Sequence, residues 1–192
     1  KCVITEDIES WCNMGGCNLL ENVYTNINSH NKKGIQNSVF ELQLAALNST
    51  IKSINKNSSK KNIITERSLK SNHEIFVNMQ YDNERLSYPQ YLLLKNTYEI
   101  YSSMLPSKKH IIFYLDCSPE ICLSHIKTRN RISEKDNITV EYLNVLKTYH
   151  EKFYQKIKKQ EATNPNISII RLNVENSSID ELAAKVLQYY LP

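Results

Sequence analysis

Short apolar, β-branched runs alternate along this chain with longer stretches of helical period. Cys2-Val3-Ile4-Thr5 reads as a strand that stops at the acids Glu6-Asp7. Residues 18–25 have helical spacing. A longer helix over 35–54 carries apolar positions at Ile35, Val39, Leu42, Ala46 and Leu47. A second strand, Asn62-Ile63-Ile64-Thr65, runs directly into Glu66-Arg67-Ser68. Helical segments then cover 69–81 and 88–104, the latter opening with Ser87-Tyr88-Pro89, where a first-turn proline loses no helical hydrogen bond. Residues 110–115 form the clearest buried strand. Ser118-Pro119-Glu120 follows, combining a Ser cap, a first-turn proline and an acid near the helix's positive end. The helix it opens reaches about Thr128. A charged loop then spans 129–137, a long helix 139–160, a last strand 167–172 and a last amphipathic helix 180–189.

Strands separated by helices imply a parallel sheet covered on both faces, a three-layer α/β domain. Such sheets gather ligands at the carboxyl ends of their strands. Two of the four strands end there in charge, at Glu6-Asp7 and Glu66-Arg67.

The 192 residues suffice for one full-sized domain over 1–192 with a real core. With 41% hydrophobic and 23% charged residues, the composition fits a globular protein and excludes a disordered one. The net charge of +4 is too mild and too evenly spread for a dedicated nucleic-acid binder, and the basic run at 56–61 reads as a solvated connector. Five cysteines, without C-x-x-C spacing, favour neither zinc nor a fully paired disulfide framework. No apolar run approaches 18 residues and no signal peptide is visible, so the expectation is a cytoplasmic protein without a membrane partner. Only three glycines are present, Gly15, Gly16 and Gly34, and none belongs to a phosphate-cradling G-x-x-x-x-G-K-[ST] loop.

The charged rim carries the candidate chemistry. Burying an unpaired charge costs several kcal/mol, so an acid–base pair directly after an apolar strand needs a partner. Taken singly, Glu66-Arg67 reads as an ion pair capping the next helix and Glu6 as a solvated loop acid. Taken together, they should lie side by side on one rim. A third element is Arg129-Asn130-Arg131, followed by Glu134. Arginines at i and i+2 do not share a helix face, but at a helix end or on a flap they can close on an anion from two directions. Guanidinium forks suit phosphate oxygens, and phosphoryl-transfer enzymes use such flaps. The plain alternative is a basic helix terminus favoured by the helix dipole.

Glu66-Arg67-Ser68 after a strand resembles the Glu-Arg-Ser motif of the deoxyribonucleoside kinases, the group of deoxycytidine, deoxyguanosine and mitochondrial thymidine kinases and the insect multisubstrate enzyme. Other segments follow the family in the same order. Glu6-Asp7-Ile8-Glu9-Ser10-Trp11 is similar to its Glu-Pro-Val-x-x-Trp segment. Asn18-Leu19-Leu20-Glu21-Asn22-Val23-Tyr24 is similar to its Asn-Leu-Leu-x-x-x-Tyr helix. Tyr114-Leu115-Asp116-Cys117-Ser118-Pro119-Glu120 resembles the strand before the lid helix. Arg129-Asn130-Arg131 with Glu134, Glu141-Tyr142-Leu143 and His150-Glu151 resemble the lid and the helix after it.

The resemblance implies a P-loop-kinase-like fold, a parallel sheet flanked by helices with a lid at about 129–138. It also implies transfer of the ATP γ-phosphate to a deoxynucleoside 5′-hydroxyl, with ATP and Mg2+ as cofactors and a homodimer formed through the helices at 35–54 and 88–104. By resemblance, Glu6 is the general base, Arg67 the arginine beside it, Glu66 a neighbour of magnesium, and Arg129 and Arg131 the phosphoryl clamp. Tyr24 and Glu134 would grip the 3′-hydroxyl. Gln36 would read the base edge, and Trp11 and Phe76 would line the base slot. The family's Ser-Asp-Arg or Ser-Ala-Arg is Ser71-Asn72-His73 here. That position helps choose the base, so the preferred base stays open. The family's phosphate loop, first strand and first helix are expected ahead of Lys1. Competing readings are a catalytically inactive relative serving as a structural or interaction protein and a thymidylate-kinase-like nucleotide kinase.

Overall fold

A computed structural model describes residues 2–105, 108–131, 134 and 137–189. The chain divides into two compact units, Lys1–Leu105 and Pro106–Pro192.

In the first unit, β1 (Cys2–Ile4) pairs in parallel with β2 (Ile63–Thr65), Cys2 opposite Ile63 and Ile4 opposite Thr65. The crossover between them holds α1 (Ile8–Trp11), α2 (Leu19–Asn28) and α3 (Lys32–Lys56). Asparagines start both longer helices. The Asn18 side chain accepts from the Glu21 N–H, and that of Asn31 from the Gly34 N–H, each satisfying a donor the helix itself leaves unpaired. Gly34 is needed where it stands, because a Cβ there would lie 2.1 Å from Asn26 Oδ1.

After β2 come α4 (Leu69–Ser71), a π-helical segment (Asn72–Val77), α5 (Asn78–Asp82) and α6 (Tyr88–Met104). Ser87 and Gln90 close a capping box at the start of α6, with Pro89 in its first turn. One apolar cluster joins Val23, Val39, Val77, Leu86 and Leu94. Another joins Leu47, Ile51 and Leu69, with Tyr98 and Tyr101 against it. Each buried leucine contributes about 1.5–3 kcal/mol of transfer free energy.

The second unit is built the same way. β3 (His110–Asp116) and β4 (Ile167–Asn173) run parallel, His110 opposite Ile167 and Asp116 opposite Asn173. α7 (Pro119–Arg129), α8 (Val140–Glu161) and α9 (Ile179–Gln188) complete it. α8 packs on β4 and α7 on α8. Ile157 and Ile169 are almost wholly enclosed, with Leu143, Phe153 and Leu172 also buried.

The expected α/β fold is present, with all four strands found, paired in parallel and accompanied by helices, one strand pair in each unit. No described helix is long and apolar enough to cross a membrane. Several local features depart from the expectation. No residue of the strand at 110–116 is fully buried, with His110 and Leu115 facing outward. The Ser118 side chain makes no capping bond, Glu175 taking the Ser118 N–H instead. The helix expected over 69–81 is interrupted by the π-helical turn, and α1 was not foreseen. In the former, His73, Ile75, Val77 and Met79 are all buried. Burial at every second position encloses the segment on more than one side, so no single amphipathic face marks its geometry.

All five cysteines are free thiols. Burial pushes the Cys122 thiol up to about 11, and its hydrogen bond with Cys117 adds to the effect. At pH 7.5 it therefore holds about two orders of magnitude less thiolate than an ordinary thiol near 8.5. Peptide mass mapping during iodoacetamide treatment should find exposed Cys17 modified first and Cys122 last. Early labelling of Cys122 in the folded protein would contradict this assignment.

Candidate active site

The first cluster of chemistry lies at the carboxyl ends of β1 and β2. The Glu66 N–H donates to the Ile4 carbonyl at 2.9 Å, extending the ladder by one bond. The chain then turns sharply, with Arg67 in the left-handed region at φ 63°. A non-glycine residue held there costs of order 1–3 kcal/mol and needs its surroundings to hold it. Two contacts do so. Arg67 Nη1 lies 3.0 Å from Glu6 Oε1, and its guanidinium carbon lies 4.1 Å from the Phe76 ring centroid. The Glu6 side chain is only 12% exposed, against 46% for Arg67. The Glu6 N–H points to Glu66 Oε2 at 3.5 Å, and Glu66 itself is exposed.

Ser68 completes the motif by forming a capping box with Ser71, the Ser71 N–H donating to Ser68 Oγ at 3.0 Å. Capping of the following helix is thus the serine's work. Arg67 instead reaches across to the other strand's end, bringing Glu6, Arg67 and Phe76 together with Glu66 beside them.

The nucleoside-binding candidates distribute as follows. Trp11 is buried, and its indole N–H donates to Ser49 Oγ on α3 at 3.1 Å. Tyr24 is half-buried on α2. Asn72 opens the π-helical segment and lines a small cavity with Gln43, His73, Val77, Leu94 and Tyr98. Gln36 has another engagement, its amide N–H donating to the Glu84 carbonyl at 3.3 Å.

One turn-pair further along α3, Gln43 is the amide that meets the cavity. It is 9% exposed, and its Oε1 has no hydrogen-bond partner among the described residues. An unsatisfied buried amide oxygen costs about 1–3 kcal/mol, which marks it as a group awaiting a donor. The sequence held a signal for it. Gln43 is a polar residue among the apolar positions Val39, Leu42, Ala46 and Leu47, where a core helix has no need of an amide.

The second cluster belongs to the second unit. α7 ends at Arg129, and Asn130 follows in the left-handed conformation at φ 54°, a common helix stop for asparagine. That turn explains the i, i+2 spacing. Arg129 Nη2 meets Glu134 Oε2 at 2.5 Å, and Arg131 Nη1 meets Glu134 Oε1 at 3.3 Å, one guanidinium on each oxygen. Glu134 is buried while Arg129 stays largely accessible. Of the expected lid at 129–138, residues 132, 133, 135 and 136 lie outside the described residues.

A further network, not singled out from the sequence, sits at the end of β3. Asp116 pairs with Arg171 at 3.0 Å and with Lys147 at 3.4 Å, and Arg171 also pairs with Glu151. The Tyr114 hydroxyl donates to Glu151 at 2.9 Å. Burial first, and then that carboxylate, push the Tyr114 hydroxyl far above its ordinary range, so it remains a donor. These bonds tie α8 to the strand pair. Among the described residues, no three acidic, histidine or cysteine side chains gather into a metal cage.

The deoxynucleoside kinase family model matches residues 2–190 of the chain. A fowlpox virus (strain NVSL) protein named as a probable deoxycytidine kinase is 30% identical over 183 residues, covering 93% of this chain and 71% of that protein. Human deoxycytidine kinase is 26% identical over 148 residues, 75% of this chain and 55% of the human one. A deoxyadenosine kinase of Dictyostelium discoideum is 45% identical over 64 residues, 33% of this chain and 23% of that enzyme. With strand-end acids, a paired arginine and a doubly clamped glutamate in the family's order, the chain belongs to the deoxynucleoside kinase family of phosphotransferases.

Proposed function

We propose that this chain carries the acceptor-binding and phosphoryl-clamping residues of an ATP-dependent deoxynucleoside kinase, which makes a deoxynucleoside 5′-monophosphate. The observation that carries the reading is the Glu6 carboxylate, largely shielded from water yet held 3.0 Å from the Arg67 guanidinium at the end of two parallel strands. A carboxylate so held is oriented to accept the proton of a 5′-hydroxyl as that oxygen attacks phosphorus. Arg67 holds it in place and offers its remaining N–H groups to the phosphate. Arg129 and Arg131 neutralise charge on the transferred phosphoryl group, and Glu134, gripped by both, orients them.

Tyr24 serves the sugar 3′-hydroxyl in this reading, and Trp11 and Phe76 flank the base. Gln36 is the base-reading amide in this reading, its NH2 group keeping a second N–H beyond the one donated to Glu84, and Gln43, whose unpartnered Oε1 lines a small cavity with Asn72, is a second candidate. Mg2+ keeps most of its water and takes one or two carboxylates besides the substrate's phosphates. The exposed Glu66 carboxylate beside Glu6 suits that manner of binding, and the ion would neutralise phosphate charge there. Leu93, Ile100 and Met104, all exposed on α6, suit the homodimer contact expected of the helix at 88–104.

Incubating the full-length protein with γ-labelled ATP and a panel of deoxynucleosides should move label onto the nucleoside 5′ position. Label transferred only to deoxynucleoside monophosphates would replace this reading by a nucleotide kinase, and no transfer at all by an inactive relative.

A further inference from the structure

We infer that Cys117 and Cys122 are a redox-active pair, two thiols that hydrogen peroxide closes into a disulfide and a small thiol reopens. The inference goes beyond the kinase reading and does not depend on it.

Cys117 is the last residue before the Ser118 cap of α7, and Cys122 stands one turn into the helix. These are the two positions at which an apolar pair commonly staples a helix start. Here both carry sulfur, and the two thiols are hydrogen-bonded to each other. Their side chains therefore already meet, which is the geometric condition for an S–S bond of about 2.05 Å. Groups other than the sulfurs hold the turn that brings them together. The Ser118 N–H donates to Glu175 Oε1 at 2.6 Å, and Lys147 donates to the Cys117 carbonyl oxygen at 3.3 Å. Both cysteines are half-buried free thiols, open to a small oxidant, while Cys2, Cys12 and Cys17 belong to the other unit.

The pair divides the chemistry. With its thiol pushed up to about 11 by burial, Cys122 is rarely a thiolate at neutral pH, so the first step falls to Cys117. The Cys117 sulfur attacks one peroxide oxygen, the O–O bond breaks, and a water leaves behind a sulfenic acid. The Cys122 sulfur then attacks the Cys117 sulfur. Its proton departs with the displaced hydroxyl as a second water, and the S–S bond forms. Two thiols have lost two electrons, and one peroxide has become two waters. Cys122 is a slow nucleophile toward reagents in solution, but its place beside Cys117 makes this second step intramolecular. The Lys147 ammonium favours the Cys122 thiolate and so assists it. Closing the pair fixes the turn from which α7 runs to Arg129.

The test treats the folded full-length protein with hydrogen peroxide, blocks the remaining thiols with iodoacetamide and maps the peptides. The tryptic peptide 110–127 holds both cysteines. It should return two hydrogens lighter and alkylated at neither, and dithiothreitol should restore both alkylation sites. Further cleavage after Glu120 should leave two fragments joined until reduction. The link should form at least about tenfold faster in the folded protein than in urea, because folding holds the sulfurs together. In Cys122→Ser, where no resolving thiol remains, dimedone should trap a sulfenic acid at Cys117. Recovery of 110–127 alkylated at both cysteines, once exposed Cys17 has been oxidised, overturns the inference. So does linkage of Cys117 to another cysteine, or linkage no faster in the folded protein than in urea. A folded Cys122→Ser protein that takes no dimedone overturns the order of attack. Should that variant not fold, the wild-type peptide map decides alone.

Discussion

Replacing Glu6 by Gln is expected to lower kcat about 10²–10⁴-fold, the usual contribution of a positioned general base. The exchange keeps the size of the side chain and an oxygen for Arg67, but removes the charge that accepts the proton. Nucleoside affinity, which the proposed reading assigns to other side chains, should change little, so the loss should fall on kcat with KM nearly unchanged. Steady-state kinetics with a parallel calorimetric titration of the nucleoside separates the two. A variant that turns over at the wild-type rate would remove Glu6 from the chemistry. Equal losses of binding and turnover would recast it as a structural partner of Arg67.

The second large effect is expected at Arg129. It shares Glu134 with Arg131 but remains far more accessible than the carboxylate they grip. Part of its donor set is thus spent on orientation, and the rest is left for an anionic oxygen. Arginines that neutralise a transferred phosphoryl group are worth about 10³–10⁵ in kcat, so Arg129→Ala should cost within that range. Arg129→Lys should recover little, because an ammonium cannot bond Glu134 and a phosphate oxygen through one planar fork. Single-turnover quench-flow with saturating ATP reads the chemical step directly. Near-complete rescue by lysine would mean that Arg129 acts as a plain surface charge.

Much of the fold was legible because its elements announce their boundaries. Ser87-Tyr88-Pro89 marks a helix start by a capping box that works locally. The helix at Ser118-Pro119-Glu120 also begins where expected, with its first-turn proline in place but no capping bond from the Ser118 side chain. The strands at 110 and 167 were visible as apolar runs too short for helices. The π-helical turn was not, since its extra residue per turn arises from packing on several sides. The site was legible where function departs from economy, as in charge directly after an apolar strand or arginines at a spacing no helix face uses. The amide was harder to place. Gln36 and Gln43 stand seven residues apart on one helix and share a face by period alone. What separates them is that Glu84, far along the chain, turns its carbonyl to Gln36, while the cavity opens beside Gln43. Both are contacts between residues distant in sequence, and periodicity does not register them.

Arg67 sits where backbone geometry would rather have glycine. Its side chain and its main chain are therefore under opposed selection. A library of variants screened for heat resistance has reason to shed the arginine, and one screened for turnover has reason to keep it. Position 67 is then a place where sturdier and faster forms of this protein part company, and stabilising design should leave it alone.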